Sequence, residues 1–331
     1  MPTLMNGPAL TTLAVALCIA LLIDRAWGEP SARWHPVVWM GRWLAWTGRW
    51  AAPAIGSGAA SGRGGPFLRG GIGWSLGACG VVALAVLLQS ALSGLPVWAA
   101  APLLGLLLKP LLAWRMLRDE VLAVDAALGL SLDAGRAQLA RLVSRDVGSL
   151  SEAEVRESAI ESLAENLNDS VIAPLFWFLL LGLPGAALYR YANTADAMWG
   201  YRGERGGRVW EWAGKWAARA DDGLSWVPAR LTAGLLAGVP LGSAARRVRW
   251  RALQREARRT PSPNSGWPMA AMALRLGLCL RKPGVYTLHG AGGLPAPGDV
   301  RRAASAGGRV VLAVGLAAAV GALLSPWLAI V

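Results

Sequence analysis

The sequence predicts an all-α protein: a polytopic integral membrane helical bundle with cytoplasmic helical segments. Three observations predict it. Mean hydropathy is +0.40. Hydrophobic residues make up 54% of the chain and charged residues only 16%, against about 25% charged in soluble domains. Four apolar stretches, 8–23, 71–93, 95–113 and 309–330, have the length and composition of membrane spans. One membrane domain over 1–331 accommodates them all.

The first stretch extends to Trp27, giving a span over 8–27. It lacks a basic flank and ends at Asp24-Arg25 without a small-residue cleavage site, so it reads as a retained helix rather than a removable signal. The second and third stretches are joined by Ser93-Gly94-Leu95-Pro96, and so short a turn predicts a helical hairpin. Stretches 170–189 and 227–243 are apolar but carry Pro174, Pro184, Pro228 and Pro240. Full spans and broken, re-entrant helices both fit, the latter only where protein or a polar cavity covers the backbone. Cys18, Cys79 and Cys279 form no CxxC pair or disulfide framework and read as buried, inert thiols.

The formal net charge is +13. Its arginines crowd beside apolar runs, which points to membrane lipid and argues against nucleic acid as a partner. Segment 24–70 has Arg25, Arg33, Arg42, Arg49, Arg63 and Arg69 against Asp24 and Glu29, and segment 244–308 has twelve basic residues against Glu256 and Asp299. The bias places both, with 114–169, in the cytoplasm and the N-terminus outside. Within the first, Trp39, Trp43, Trp46 and Trp50 recur at helical spacing beside Arg42 and Arg49. A helix lying in the membrane interface fits that stripe, and a corrinoid-stacking face is the sharper alternative. Segment 56–66 reads as a Gly/Ser-rich loop and 246–259 as a basic juxtamembrane helix.

Segment 151–169, SEAEVRESAIESLAENLND, carries the densest polar signal. Ser151 and Glu154 make a capping box, so a helix starts there. Val155, Ala159, Ile160, Leu163 and Leu167 line one face. Glu154, Glu157, Glu161 and Glu165 line the other, with Asp169 beyond. No Lys or Arg stands at i+4 to neutralise them. Stacked like charges cost a few tenths of a kcal/mol per pair, so the row points to an external cation. Mg²⁺ is the natural one, because it uses few carboxylates and completes its shell with water and phosphate. A solvated acidic face is the alternative. Asp221-Asp222 repeats the design before another apolar segment, and Asn193-Thr194-Ala195-Asp196 lies between. Two acidic stations with several arginines are suited to hold a magnesium–nucleotide between them. No GxxxxGK[ST] loop exists, so an ATP site here is not of the P-loop type. Only His35 and His289 are present, which excludes a histidine metal cluster.

These motifs together resemble a known family. DRAWGEPSARWHPVVWMGR (24–42), RD (145–146), AIESLAENLNDSVIAPLFWFLLLGLPGAALYRYANTADAMWGYR (159–202), ARADDGLSWVPARLT (218–232) and PSPNSGWPMAAMA (261–273) are similar, in that order, to the signatures of the CobD/CbiB family of cobalamin biosynthesis proteins. The resemblance implies a polytopic enzyme of the cytoplasmic membrane, an adenosylcobinamide-phosphate synthase. Such an enzyme joins (R)-1-aminopropan-2-ol O-phosphate, or the free amino alcohol, to the f propionate of adenosylcobyric acid by ATP-dependent amide formation. Other late membrane enzymes of the pathway are its implied partners. Glu29, His35, Asn166, Asn193 and Asn264 are the motif residues expected to bind substrate. Glu161, Glu165, Asp169, Asp221 and Asp222 are expected to position Mg²⁺. Arg145 and Arg230 are expected to neutralise phosphates, and Asp146 or Asp196 to take the proton of the attacking ammonium. Local departures are Ala220, Ser225 and the Gly-, Trp- and Arg-rich stretch 203–215. Two other readings stay open: a membrane prenyltransferase using Mg–diphosphate, loosely evoked by Asn166-Leu167-Asn168-Asp169, and a related sensor or scaffold without catalysis.

Overall fold

Apolar runs punctuated by Gly and Pro set the helix boundaries. The computed structural model describes residues 7–57, 62–240 and 247–328. Twelve α-helices are found among them: α1 Gly7–Trp27, α2 Pro36–Ala51, α3 Gly64–Leu92, α4 Val97–Leu108, α5 Trp114–Leu128, α6 Leu132–Leu139, α7 Glu152–Leu167, α8 Ala173–Trp199, α9 Lys215–Gly238, α10 Trp250–Ala257, α11 Gly266–Leu276 and α12 Asp299–Leu328. Two short hairpins are the strands: β1 Glu204–Arg205 with β2 Arg208–Val209, and β3 Leu280–Lys282 with β4 Tyr286–Leu288. The protein is all-α, and five helical segments are long and apolar enough to cross a membrane: Ala9–Trp27, Gly64–Leu92, Val97–Leu128, Glu152–Trp199 and Asp299–Leu324. The end of the expected 309–330 span, the middle of the 56–66 loop, residues 241–246 and thus the end of 227–243 and the start of 246–259 lie outside the described residues.

The single 1–331 domain expected from the sequence divides into two compact units. The first comprises 1–112, 173–224 and 318–331, and the second 113–172 and 225–317. In the first unit, α4 packs chiefly on α1, and α3 packs on α8 and α2. The expected α3–α4 hairpin is therefore not the main contact of either helix. Small residues explain the choice. Ala16, Ala20 and Ala101 are fully buried, and a Cβ on Gly105 would sit 2.7 Å from the Ala16 carbonyl oxygen. Close backbone approach replaces a hydrophobic drive that lipid cannot supply.

The 95–113 stretch is not one straight span. After α4 a 3₁₀ turn covers Lys109–Leu111, and Leu112 turns extended. Pro110 fits that turn's first positions, where an amide is not needed. The break in α8 is sharper: Gly182 has φ 69° and ψ −157° inside the helix. The amide of Leu183 loses its helical acceptor and donates instead to Gln89 Oε1 of α3 at 2.7 Å. Pro184 follows, so the 170–189 stretch is a broken helix whose freed backbone is covered by protein.

On α2, Met40, Leu44, Thr47, Gly48 and Ala51 face inward while Trp39, Trp46 and Trp50 are exposed. Arg208 of the β1–β2 hairpin donates to the carbonyls of Arg49 and Ala52 at the helix end. The cysteines are free, and the expectation that all are buried fails for Cys79, which is exposed on α3. It shares that helix with exposed Leu76, Leu84 and Leu87, a face suited to lipid.

The second unit is built round α7. The capping box is present: Ser151 Oγ accepts from the Glu154 amide, and Glu154 Oε2 accepts from the Ser151 amide. Residues 155–164 are all buried, so α7 is a core helix rather than one with a wet acidic face. It packs on α5, α11, α6 and β3. At Asn168–Ile172 the chain widens into a π-helical turn, a feature frequent at functional sites.

Candidate functional site

Four polar stations arise from the expected residues. In the first unit, Pro36 opens α2 and His35 caps it, Nδ1 accepting from the Val37 amide at 3.3 Å. That bond places the proton on Nε2, which donates to Glu29 Oε2 at 3.0 Å. The other carboxylate oxygen, Oε1, lies 2.9 Å from Lys109 Nζ, which also sits 3.5 Å from Asp24 Oδ1. Asp24 and Lys109 are almost wholly buried. Burial pushes the Glu29 carboxyl up, but His35 and Lys109 pull it down and prevail, so it lies below its ordinary 4.5.

The second station of that unit joins α8 and α9. Asn193 donates from Nδ2 to Asp221 Oδ1 at 3.3 Å and accepts from Arg190 Nη1 at 3.5 Å. Neighbouring Asp222 is half-buried. Burial raises its carboxyl above the ordinary value, and Arg202 offsets part of that. Asp196 stands half-buried near the end of α8, where its carbonyl accepts from the Gly200 amide.

The third station is on α7. Arg145 Nη2 donates to Glu161 Oε2 at 3.1 Å. Glu157, with no exposed surface, receives a fork from Arg281: Nη2 to Oε1 at 2.8 Å, Nε to both oxygens, and the Arg281 backbone amide to Oε2 at 2.8 Å. The expectation that the acidic row has no basic partner is therefore corrected for these two. Their arginines come from across the fold, not from i+4. The fork holds the Arg281 guanidinium above its ordinary value. The Tyr286 phenol is also raised, first by burial and then by the nearby Glu161 carboxylate. Its hydroxyl is directed at Met269 Sδ, 3.7 Å away.

The fourth station is at α9 and α11. The Arg230 guanidinium lies against Trp226 and Trp267, 4.4 and 4.7 Å from their ring centres. Its Nη1 donates to Asn264 Oδ1 at 2.7 Å and its Nη2 to the Pro263 carbonyl at 3.0 Å. At the π turn, Asn168 Nδ2 donates to Asp169 Oδ1 at 2.8 Å, and Thr232 Oγ1 donates to Asn168 Oδ1 at 3.0 Å. Asn166 donates to the Ser162 carbonyl of its own helix. Asp146 is exposed, and its Oδ1 accepts from the Gly148 amide at 2.9 Å.

The expected residues thus meet in pairs: Glu29 with His35, Asn193 with Asp221, Arg145 with Glu161, Arg230 with Asn264. The expected metal residues are divided, Glu161, Glu165 and Asp169 belonging to the second unit and Asp221 and Asp222 to the first. Among the described residues, no group of three His, Cys, Asp or Glu gathers as a metal cage. A magnesium site needs less, since one or two carboxylates suffice when phosphate and water complete the shell. Glu161 fits that use: its almost wholly buried carboxylate is met by Arg145 on Oε2 and faced by the Tyr286 hydroxyl, and Glu165 follows one turn on, half-buried.

Lys109, Arg281 and Tyr286 were not legible as site residues. Lys109 carried a signal, a lone charge within an apolar run, which is expensive to retain without use. Arg281 and Tyr286 carried none, because their acidic partners lie more than a hundred residues earlier in the chain.

Fold and stations together define a multi-pass α-helical membrane protein whose buried charges are organised in small, separate, hydrogen-bonded groups. The chain belongs to the CobD/CbiB family, whose model, described as "CobD/Cbib protein", matches residues 17–315. It is 40% identical to the "Probable cobalamin biosynthesis protein CobD" of Methanothermobacter thermautotrophicus over 278 residues, 82% of this chain and 85% of the relative. It is 42% identical to the "Cobalamin biosynthesis protein CobD" of Chromobacterium violaceum over 275 residues, 81% of each chain. The protein of the same name from Brucella suis is 37% identical over 281 residues, 82% of this chain and 83% of the relative. No solved structure matches this chain.

Proposed function

We propose that the protein acts in cobalamin biosynthesis as a membrane-bound adenosylcobinamide-phosphate synthase. The observation that carries the proposal is the family match over nearly the whole chain, with the motif residues paired in stations rather than scattered on the surface. The substrates would be adenosylcobyric acid, aminopropanol phosphate or the free amino alcohol, and ATP.

A carboxylate does not accept an amine unaided. The f propionate oxygen would attack the γ-phosphorus of ATP, releasing ADP and leaving an acyl phosphate. The neutral amine would then add to the acyl carbon, and the tetrahedral adduct would expel inorganic phosphate. One proton leaves the ammonium before attack and a second leaves the nitrogen as the amide forms. Arg145 and Arg230 would meet the phosphoryl charge with their remaining N–H groups, Glu161 and the Pro263 carbonyl holding the two guanidinium planes in place. A magnesium ion would supply neutralisation of the triphosphate, held at Glu161 and Glu165. Asp146 or Asp196 would receive the ammonium proton. The active site is assigned to the cytoplasmic side of the cell membrane from the arginine-rich segments.

A growth test checks the reaction. A strain lacking this gene should grow on cobinamide and fail on cobyric acid, with both supported once the gene is restored. Growth on cobyric acid without the gene would favour the non-catalytic sensor or scaffold.

A further inference from the structure

The β3–β4 hairpin has no part in the chemistry above, yet it carries a partner for each of two acidic residues one turn apart on α7. Its turn is Lys282-Pro283-Gly284-Val285, with proline and glycine at the two central positions. Gly284 has φ 73°, and the Val285 amide donates to the Lys282 carbonyl at 2.9 Å. That turn sets the register, pairing Arg281 with Thr287 and Lys282 with Tyr286. Arg281 on β3 meets Glu157, and Tyr286 on β4 faces Glu161.

The two partnerships differ in kind. Arg281 brings Glu157 a full positive charge and N–H donors on both carboxylate oxygens, its own backbone amide included. A carboxylate has about four lone-pair sites, so Glu157 is saturated and its charge cancelled. Glu161 accepts from Arg145 on Oε2 at 3.1 Å and otherwise meets the Tyr286 hydroxyl, a donor without charge. A neutral donor orients a carboxylate and leaves its charge available to a cation. The hydroxyl has two acceptors in reach, Met269 Sδ at 3.7 Å and the Glu161 carboxylate. A thioether is a weak acceptor and an ionised carboxylate a strong one, which directs the proton to Glu161. Tyr286 also borders a cavity of about 450 Å³ with Arg281, Lys282 and Thr287.

Other contacts hold the hairpin in place. Leu280 and Leu288 are fully buried. Arg259 donates to the Thr287 carbonyl at 3.2 Å, and the His289 amide donates to Glu256 Oε2 at 2.8 Å. Replacing Tyr286 by phenylalanine keeps the ring and all of these.

We propose that Tyr286 is a positioning residue: its hydroxyl donates to Glu161 and fixes that carboxylate for a divalent cation. The inference rests on the metal site and reaction proposed above. Partners of this outer kind orient ligating carboxylates, and their loss costs roughly 10–100-fold in metal affinity.

The test titrates the full chain, purified in detergent, with Mn²⁺ alone, following the free ion by electron paramagnetic resonance. Glu161→Gln should remove the site. Tyr286→Phe should weaken it about tenfold, and Met269→Leu should leave it unchanged. In the amide-forming assay, Tyr286→Phe should need about tenfold more Mg²⁺ for half its maximal rate and regain the wild-type rate when Mg²⁺ is raised. A damaged fold would instead lower the rate at every Mg²⁺ concentration, which would overturn the proposal. Unchanged Mn²⁺ affinity in Tyr286→Phe, with the site lost in Glu161→Gln, would overturn the role of Tyr286 and leave the reaction standing. An equal loss in Met269→Leu would assign the effect to packing and overturn it too. Unchanged affinity in Glu161→Gln would overturn the metal site and this inference with it. A wild-type chain that binds Mn²⁺ but forms no amide would overturn the reaction alone, the Mn²⁺ titration then deciding the role of Tyr286.

Discussion

Charge at single residues is the first place the structure speaks. Glu157 has no exposed surface and takes its whole compensation from Arg281. Removing the arginine leaves a buried carboxylate unpaired, which costs about 3–5 kcal/mol. Arg281→Ala should therefore lower the melting temperature in detergent sharply, whereas a double change of Glu157 and Arg281 to leucine should lower it much less. Glu29 carries a pH signature. Its folded value lies below its ordinary 4.5, so its contribution is complete above about pH 4.5 and is lost as pH falls through the lower folded value. Glu29→Gln should flatten the acid limb of melting temperature against pH; an unchanged limb would show that the His35–Glu29–Lys109 group adds nothing. Asp222 has the opposite sign. Burial raises its value above the ordinary 3.8, so stability present below that value is lost as pH rises through the folded one. Asp222→Asn should raise the melting temperature more at pH 7 than at pH 4, measured in the same detergent.

Among the elements, those set by local chemistry were legible and those set by distant partners were not. The start of α7 follows from Ser151 and Glu154, three residues apart, and the structure contains that box. The interruption of 170–189 was legible from its prolines, but its position was not. The break at Gly182, φ 69°, is sustained because the side-chain carbonyl of Gln89, ninety-four residues before Leu183, replaces the acceptor that the Leu183 amide loses. The α3–α4 hairpin failed for the same reason: a short turn fixes order along the chain, while Ala16 and Gly105 fix which helix α4 packs on. Acidic spacing on α7 showed where the carboxylates stand, not which arginines meet them. Gly182→Ala should destabilise by about 1–3 kcal/mol, since the backbone there suits only glycine and the added methyl collides with Gln89. Gln89→Leu should destabilise too, by stranding the Leu183 amide in an apolar setting; thermal unfolding of both variants checks this, and a wild-type curve for Gly182→Ala would refute the account of the kink.

At the scale of the whole molecule, the chain combines five segments able to span a membrane with polar residues retained at buried positions. Such residues are costly without a use, and they gather in the paired stations rather than on the basic surface. The central claim is that this protein forms the amide of cobyric acid. The most direct measurement places the purified full chain in lipid nanodiscs with adenosylcobyric acid, aminopropanol phosphate, ATP and magnesium, and follows corrinoid mass and ADP together. The expected result is a corrinoid heavier by the aminopropanol phosphate arm less one water, formed in step with ADP, and lost with magnesium removal or Glu161→Gln. An unchanged corrinoid mass in the presence of folded protein and every substrate would contradict the claim.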